Sequence, residues 1–217
     1  MNFSLVWEAR WLILDSFVVT LYLSASAVVG GTVVGMIVAL LRQFGLRPLN
    51  LLLRAYVELF RGTPLLMQLF FIYFGLPLVN VSVDRFWAAF IALTCFTSAY
   101  VAEVFRSGIE AIPRGQSEAA TALGMGFFHR FFWIIAPQAL RVSLPPLIGV
   151  YVSVIKDTSL ATVVGYNELT RRAMELMLRF GHPLEFFITV ALLYFAICYP
   201  ISKLSERLER KLTPSAR

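Results

Sequence analysis

Residues 16–41 read SFVVTLYLSASAVVGGTVVGMIVALL, 26 positions without a charge between Asp15 and Arg42. A charge at mid-bilayer costs about 2.5–3.5 kcal/mol on insertion scales, so long uncharged runs mark membrane spans. About 20 mostly apolar residues suffice for a helix to cross. This run is long enough, and it decides the fold class: an all-α integral membrane protein. Ala25-Ser26-Ala27 imitates a leader cleavage site, but the apolar run continues unbroken to Leu41. The preceding residues also carry Glu8, Arg10 and Asp15 instead of a clean basic patch, so a retained span is expected.

Three further runs repeat the signal. Positions 62–83 hold 22 uncharged residues, 86–102 hold 17, and 186–202 hold another 17. A fifth run, 142–155, is only 14 residues long and is stopped by Lys156-Asp157, after which 158–167 is again uncharged. Taken as re-entrant, it leaves four spans; taken as one span interrupted by a charged pair, it gives five. The two halves together have spanning length, so five are expected, at about 16–41, 57–78, 86–106, 142–164 and 184–203. The whole chain, 1–217, then reads as one membrane domain, with a polar loop at about 107–141 between spans three and four.

Composition agrees. The 217 residues are 59% hydrophobic and 15% charged, with a mean hydropathy of +0.75, against about 45–50% and 25% in soluble domains. That excludes a disordered chain, a secreted disulfide scaffold and a nucleic-acid-binding domain. Cys95 and Cys198 both lie in apolar runs and offer neither a disulfide framework nor metal spacing. The net charge of +6 reads as topology. With the N-terminus outside, the inside segments hold Arg42, Arg47, Arg54, Arg106, Arg114, Arg130, Arg141, Lys203, Arg207, Arg210, Lys211 and Arg217. The outside segments hold Arg10, Arg85, Arg171, Arg172 and Arg179. Twelve against five favours N-out and C-in.

The loop is structured in expectation. Pro113 can open a helix, GQSEAATAL (115–123) reads as a short alanine-rich helix, and Gly124 ends it. FFHRFFWII (127–135) is a second apolar segment, and Pro137, Pro145 and Pro146 punctuate the return to the membrane. No phosphate-binding G-x-x-x-x-G-K-[ST], H-E-x-x-H or G-x-S-x-G occurs. His129 and His182 fall on opposite expected sides and read as surface or interface residues. No catalytic residue and no metal site is expected.

Several stretches remain to be weighed. The helix with Glu118, Ala119 and Ala120 has small residues and an acid near its positive end; it either packs on the span ends or docks on another protein. Glu58 and Arg61, like Glu103 and Arg106, lie three apart on one helical face, the spacing of a local salt bridge at the membrane edge. Gly30, Gly31 and Gly35 mark close helix packing. Lys156, Asp157, Thr158 and Ser159 interrupt an apolar run, as a translocation path or a subunit-interface ion pair would. The segment 165–183, with its three arginines, is a solvated amphipathic helix or a contact for an acidic partner.

EAATALGMGFFHRFFWIIAPQALRVSLPPL, 118–147, resembles the EAA loop of bacterial ABC importer permeases. Three more stretches resemble the polar amino-acid permeases of the histidine/glutamine/arginine type. They are Glu58-Leu-Phe-Arg-Gly-Thr-Pro-Leu65; Ala99-Tyr-Val-Ala-Glu-Val-Phe-Arg106 with Ile112-Pro-Arg-Gly-Gln116; and Lys156-Asp-Thr-Ser-Leu160 followed by Glu168-Leu-Thr-Arg-Arg-Ala173. The resemblance implies a five-span half-channel in the bacterial inner membrane that pairs with a second permease subunit, identical or similar. It implies two cytoplasmic ABC ATPase subunits, which hold the ATP and Mg while this chain binds no cofactor, and an external amino-acid-binding protein. It makes the helix around Glu118 a coupling helix, with Glu118, Ala119, Ala120 and Gly124 touching the ATPase. One element departs: a polar stretch of many relatives after Pro145-Pro146 is here Leu147-Ile-Gly-Val-Tyr151. That implies a different substrate selection, or a site carried by the partner subunit.

Overall fold

The computed structural model describes residues 3–45 and 47–212, which places Arg217 of the basic tally outside the described residues. After a short α1, Ser4–Glu8, the first long helix is α2, Arg10–Phe44, longer at both ends than the uncharged run. It lies parallel to α5, Arg85–Glu110, with Tyr22 beside Phe86 near the start and Arg42 beside Glu103 near the end. Glycines make the approach close: Gly31 faces Thr97, and Gly35 faces Val101 and the Ser98 carbonyl. The polar residues of this seam satisfy themselves on the preceding turn, Ser16 on Ile13, Thr20 on Ser16 and Thr97 on Leu93, so they cost little in an apolar core. Asp84 caps α5, accepting from the Trp87 amide at 3.1 Å.

Two helices join α2 to α5. They are α3, Arg47–Gly62, and α4, Leu65–Phe70, the latter continuing through wider and tighter turns to Val79. The stretch 57–78, expected as one helix, is therefore two, bent by 106° at Thr63-Pro64. Pro64 is the cause: its backbone is extended (ψ 134°) and it opens α4 instead of continuing α3. Gln68 bridges the break, donating to the Phe60 and Thr63 carbonyls.

The polar loop contains α6, Arg114–Ala122. The chain then runs from Phe127 to Val164 as one long rod: α7, Phe127–Arg130, a π turn, α8, Ala136–Asp157, and a 3-10 stretch to Val164. Both π turns, 71–75 and 131–135, stand just before an X-Pro pair, Leu76-Pro77 and Ala136-Pro137. A proline ring collides with the carbonyl four residues earlier, and a wider turn relieves that collision. The last elements are α9, Leu169–Phe180, and α10, Pro183–Leu212.

The elements define two ends. Tyr22 stacks on Phe86, and Ala9, Ile13, Leu169, Leu176 and Phe186 form one cluster, so the starts of α2, α5 and α10 share an end. At the other end, Arg42 meets Glu103, Ser143 reaches the Val104 carbonyl, and Ser205 donates to the Pro145 carbonyl at 2.8 Å. Trp7, Trp11 and Trp87 stand exposed at the first end and Trp133 at the second, where indoles settle at a membrane interface.

Candidate functional site

The expected docking residues form one projecting corner. Pro113 precedes α6, and Gly124 closes it in a left-handed conformation, φ +77°. The Met125 amide donates to the Ala120 carbonyl at 3.1 Å and the Gly124 amide to Thr121 at 2.9 Å, the paired bonds of a Schellman turn. Ala120 is the buried residue of this helix, while Glu118, Ala119 and Gly124 are exposed and Leu123 stands 82% exposed at the tip. The corner is held from behind. Arg130 donates to the Thr121 hydroxyl, and Phe44 at the end of α2 packs against the rings of Phe127, Phe128, Phe131 and Phe132.

The second expected group spreads over a change of helix type. Lys156 and Asp157 are the last residues of α8, and Thr158 and Ser159 begin the 3-10 stretch. Lys156 is exposed, Asp157 half-buried and Thr158 fully buried, its hydroxyl spent on the Ile155 carbonyl at 2.7 Å. Asp157 borders a small gap beside Leu65, Leu69, Ala89 and Leu93, and no described side chain hydrogen-bonds or ion-pairs with its carboxylate. The pair thus points two ways, Lys156 outward and Asp157 toward the α4–α5 seam.

A charge centre emerges that sequence spacing only half supplies. Glu103 on α5 receives Arg106 (Nε at 3.0 Å), Arg42 of α2 at 3.4 Å and Arg61 of α3 at 3.6 Å. Arg106 also pairs with Glu110. So the Glu103–Arg106 pair forms as its spacing expects, but Glu58 and Arg61 do not pair. Arg61 turns to Glu103 and lies over the Tyr100 ring, while Glu58 is exposed. The reason is packing: α3 buries Val57 against α5, which aims Arg61 at the seam.

Glu168 is the buried acid that sequence reading did not place. It is fully buried at the start of α9. It accepts from the Thr170 and Arg171 amides and from the Thr162 and Tyr194 hydroxyls. Burial pushes its carboxyl above the ordinary carboxylate range, and the four donors offset only part of that rise. The sequence signal was present as a helix-start acid, but nothing in it announced burial. Among the described residues no cluster of His, Cys, Asp and Glu can hold a metal ion.

Four helices long and apolar enough to cross a membrane, with a bent pair that has spanning length together, define a multi-span membrane protein. The chain belongs to the family described as binding-protein-dependent transport system inner membrane component, which matches residues 31–214. It is a transport subunit of the inner membrane, not an enzyme. It is 39% identical to the L-cystine transport system permease protein TcyB of Bacillus subtilis (strain 168), over 96% of this chain and 90% of that protein. It is 36% identical to the glutamine transport system permease protein GlnP of Escherichia coli (strain K12), over 97% of both. In three dimensions it is similar to a chain from the crystal structure of an amino acid ABC transporter with histidines. The TM-score is 0.92 at 34% identity, covering 97% of this chain and 99% of that one.

Proposed function

We propose that this chain is the permease half of an ATP-driven importer that passes a polar amino acid by alternating access. Relatives named for cystine and glutamine transport support that substrate class. Four helices are long enough to span, and the two ends of the fold support the bent pair as a fifth span. α2 finishes at the end where Arg42 meets Glu103. α3 starts there, sharing a cavity with Ile109 and Glu110, and α4 lies against Ala89 and Leu93 nearer the opposite end. Those contacts support a bent pair that crosses from end to end. Ends on opposite sides and the basic excess favour N-out and C-in.

The observation that carries the reading is the α6 corner. Its Schellman turn holds Leu123, Ala119 and Glu118 outward on the basic side, where a cytoplasmic ATPase would seat them. In this reading α6 is the coupling helix, with Glu118, Ala119, Ala120 and Gly124 as its contact. A second permease subunit, identical or similar, completes the channel; two ATPases below bind ATP and Mg, and an external binding protein delivers the substrate. Lys156, Asp157 and Ser159 line the path where α8 changes to 3-10 geometry, with Thr158 buried behind them. Alternating access requires each partner to bind the two states with different affinity.

Reconstitution with the ATPase and binding protein tests this. Gly124→Val places a β-branched residue at φ +77°, a strain of about 1–2 kcal/mol, although no atom crowds the site. ATPase co-purification and uptake should both fall sharply. Asp157→Asn should lower uptake while the ATPase stays bound. Full-rate uptake without any ATPase would sink the importer reading, and normal uptake by Asp157→Asn would remove that residue from the path.

A further inference from the structure

At the basic end, a cavity of about 400 Å³ opens between α2, α3 and α5. Arg42, Arg47, Arg54 and Arg106 line it, with Gln43, Asn50 and a single carboxylate, Glu110. Two of the four guanidinium groups are committed: Arg42 to Glu103, and Arg106 to Glu103 and Glu110. Arg47 and Arg54 form no ion pair and no hydrogen bond with any described residue. The cavity therefore holds an excess of unmatched, forked donors. Guanidinium forks match the oxygens of a phosphate, two bonds at a time.

A second cavity, about 350 Å³, adjoins the first and shares Ala39 and Ile109 with it. Met36, Leu40, Phe105, Phe132 and Leu140 make it apolar. It also lies deeper in the span. On α2 it uses Met36 and Leu40 where the arginine cavity uses Arg42 and Gln43; on α5 it uses Phe105 where the other uses Arg106 and Glu110. Phe132 and Leu140, 52% and 41% exposed, leave it open to the side. A soluble phosphate ester would fill the first cavity and ignore the second. The geometry points to a site for one anionic phospholipid, its phosphate held by Arg47 and Arg54 and an acyl chain laid in the apolar cavity. Basic pockets between spans at the charged face of a membrane suit such headgroups. The same side of the molecule carries α6, so a lipid here ties α3 to α2 and α5 beneath the docking corner.

Native mass spectrometry of the detergent-purified full-length chain tests the site with dioleoyl phosphatidylglycerol as probe. The expected result is retention of one phosphatidylglycerol in preference to dioleoyl phosphatidylcholine. Arg47→Gln/Arg54→Gln should lower that retention by about tenfold or more, while Arg114→Gln/Arg141→Gln, which removes the same charge outside the cavity, should not. Both variants must elute as wild type on gel filtration; their side chains are exposed, so folding should be spared. Equal retention of phosphatidylcholine, or equal loss in both double variants, would overturn the site in favour of bulk charge. Displacement by inorganic phosphate, or binding of dihexanoyl phosphatidylglycerol as tight as that of the dioleoyl form, would overturn the lipid as occupant and leave a free-phosphate pocket.

Discussion

A Cβ on Gly35 would stand 2.6 Å from the Val101 Cβ and 2.7 Å from the Ser98 carbonyl oxygen. The second neighbour is backbone, so no rotamer change relieves it. Gly35→Ala must push α2 off α5, and overpacking of this kind costs about 1–3 kcal/mol. Gly149, inside α8, is the comparison: nothing lies within 4 Å of its added Cβ, and alanine is the better helix former by about 0.5–1 kcal/mol. Thermal melts in detergent should show Gly35→Ala lowered and Gly149→Ala unchanged or raised; a Gly35→Ala melt matching wild type would refute the tight seam. At this scale much was legible. Gly30, Gly31 and Gly35 announce close packing by spacing alone, and Gly124 announces a turn. Glu103 was legible only as half of a local pair. Its other partners, Arg42 and Arg61, come from helices 61 and 42 positions away in the chain, and no periodicity encodes which helices meet.

The elements show where a span can be irregular. Uncharged length locates the membrane segments well, because the cost of burying charge is large and local. It does not locate breaks. The run 62–83 is continuous in hydropathy, yet α3 and α4 meet at 106°. Pro64 was the available signal, though a proline sets a boundary without setting an angle. α9 depends on a single acid. Glu168 caps it from a buried position, and burial makes the folded protein hold the carboxyl proton more tightly than the unfolded chain does. Stability from such a raised group is full below the ordinary carboxylate value of about 4.3 and is lost as pH rises through the raised one. Glu168→Gln cannot ionise and lacks that slope. The melting temperature of wild type relative to Glu168→Gln should therefore fall as pH goes from about 4 to 8. A difference that stays flat, or grows in favour of wild type, would mean that the charged form is the one stabilised.

At the scale of the molecule, the direction of the chain rests on parity. The starts of α2, α5 and α10 gather at one end, with Trp7, Trp11 and Trp87. The arginines of α2, α3 and α5 gather at the other. If the bent pair crosses, the turn at 80–84 lies outside and α10 ends inside. If it re-enters on the basic side, that turn and the start of α2 lie on opposite faces. The buried contacts of α4 with the outer half of α5, Leu65 and Leu69 against Ala89 and Leu93, make crossing the expected answer. Ser82 is exposed in that turn. In a variant with Cys95 and Cys198 replaced by serine, Ser82→Cys should react in intact cells with a membrane-impermeant maleimide, and Leu123→Cys should react only after lysis. A green fluorescent protein fused behind the chain should fluoresce, because it matures only on the cytoplasmic side. Protection of Ser82→Cys in intact cells, where Trp7→Cys in the same background is labelled, would make the pair re-entrant. The twelve-to-five division of basic residues would then have to be redrawn around four spans.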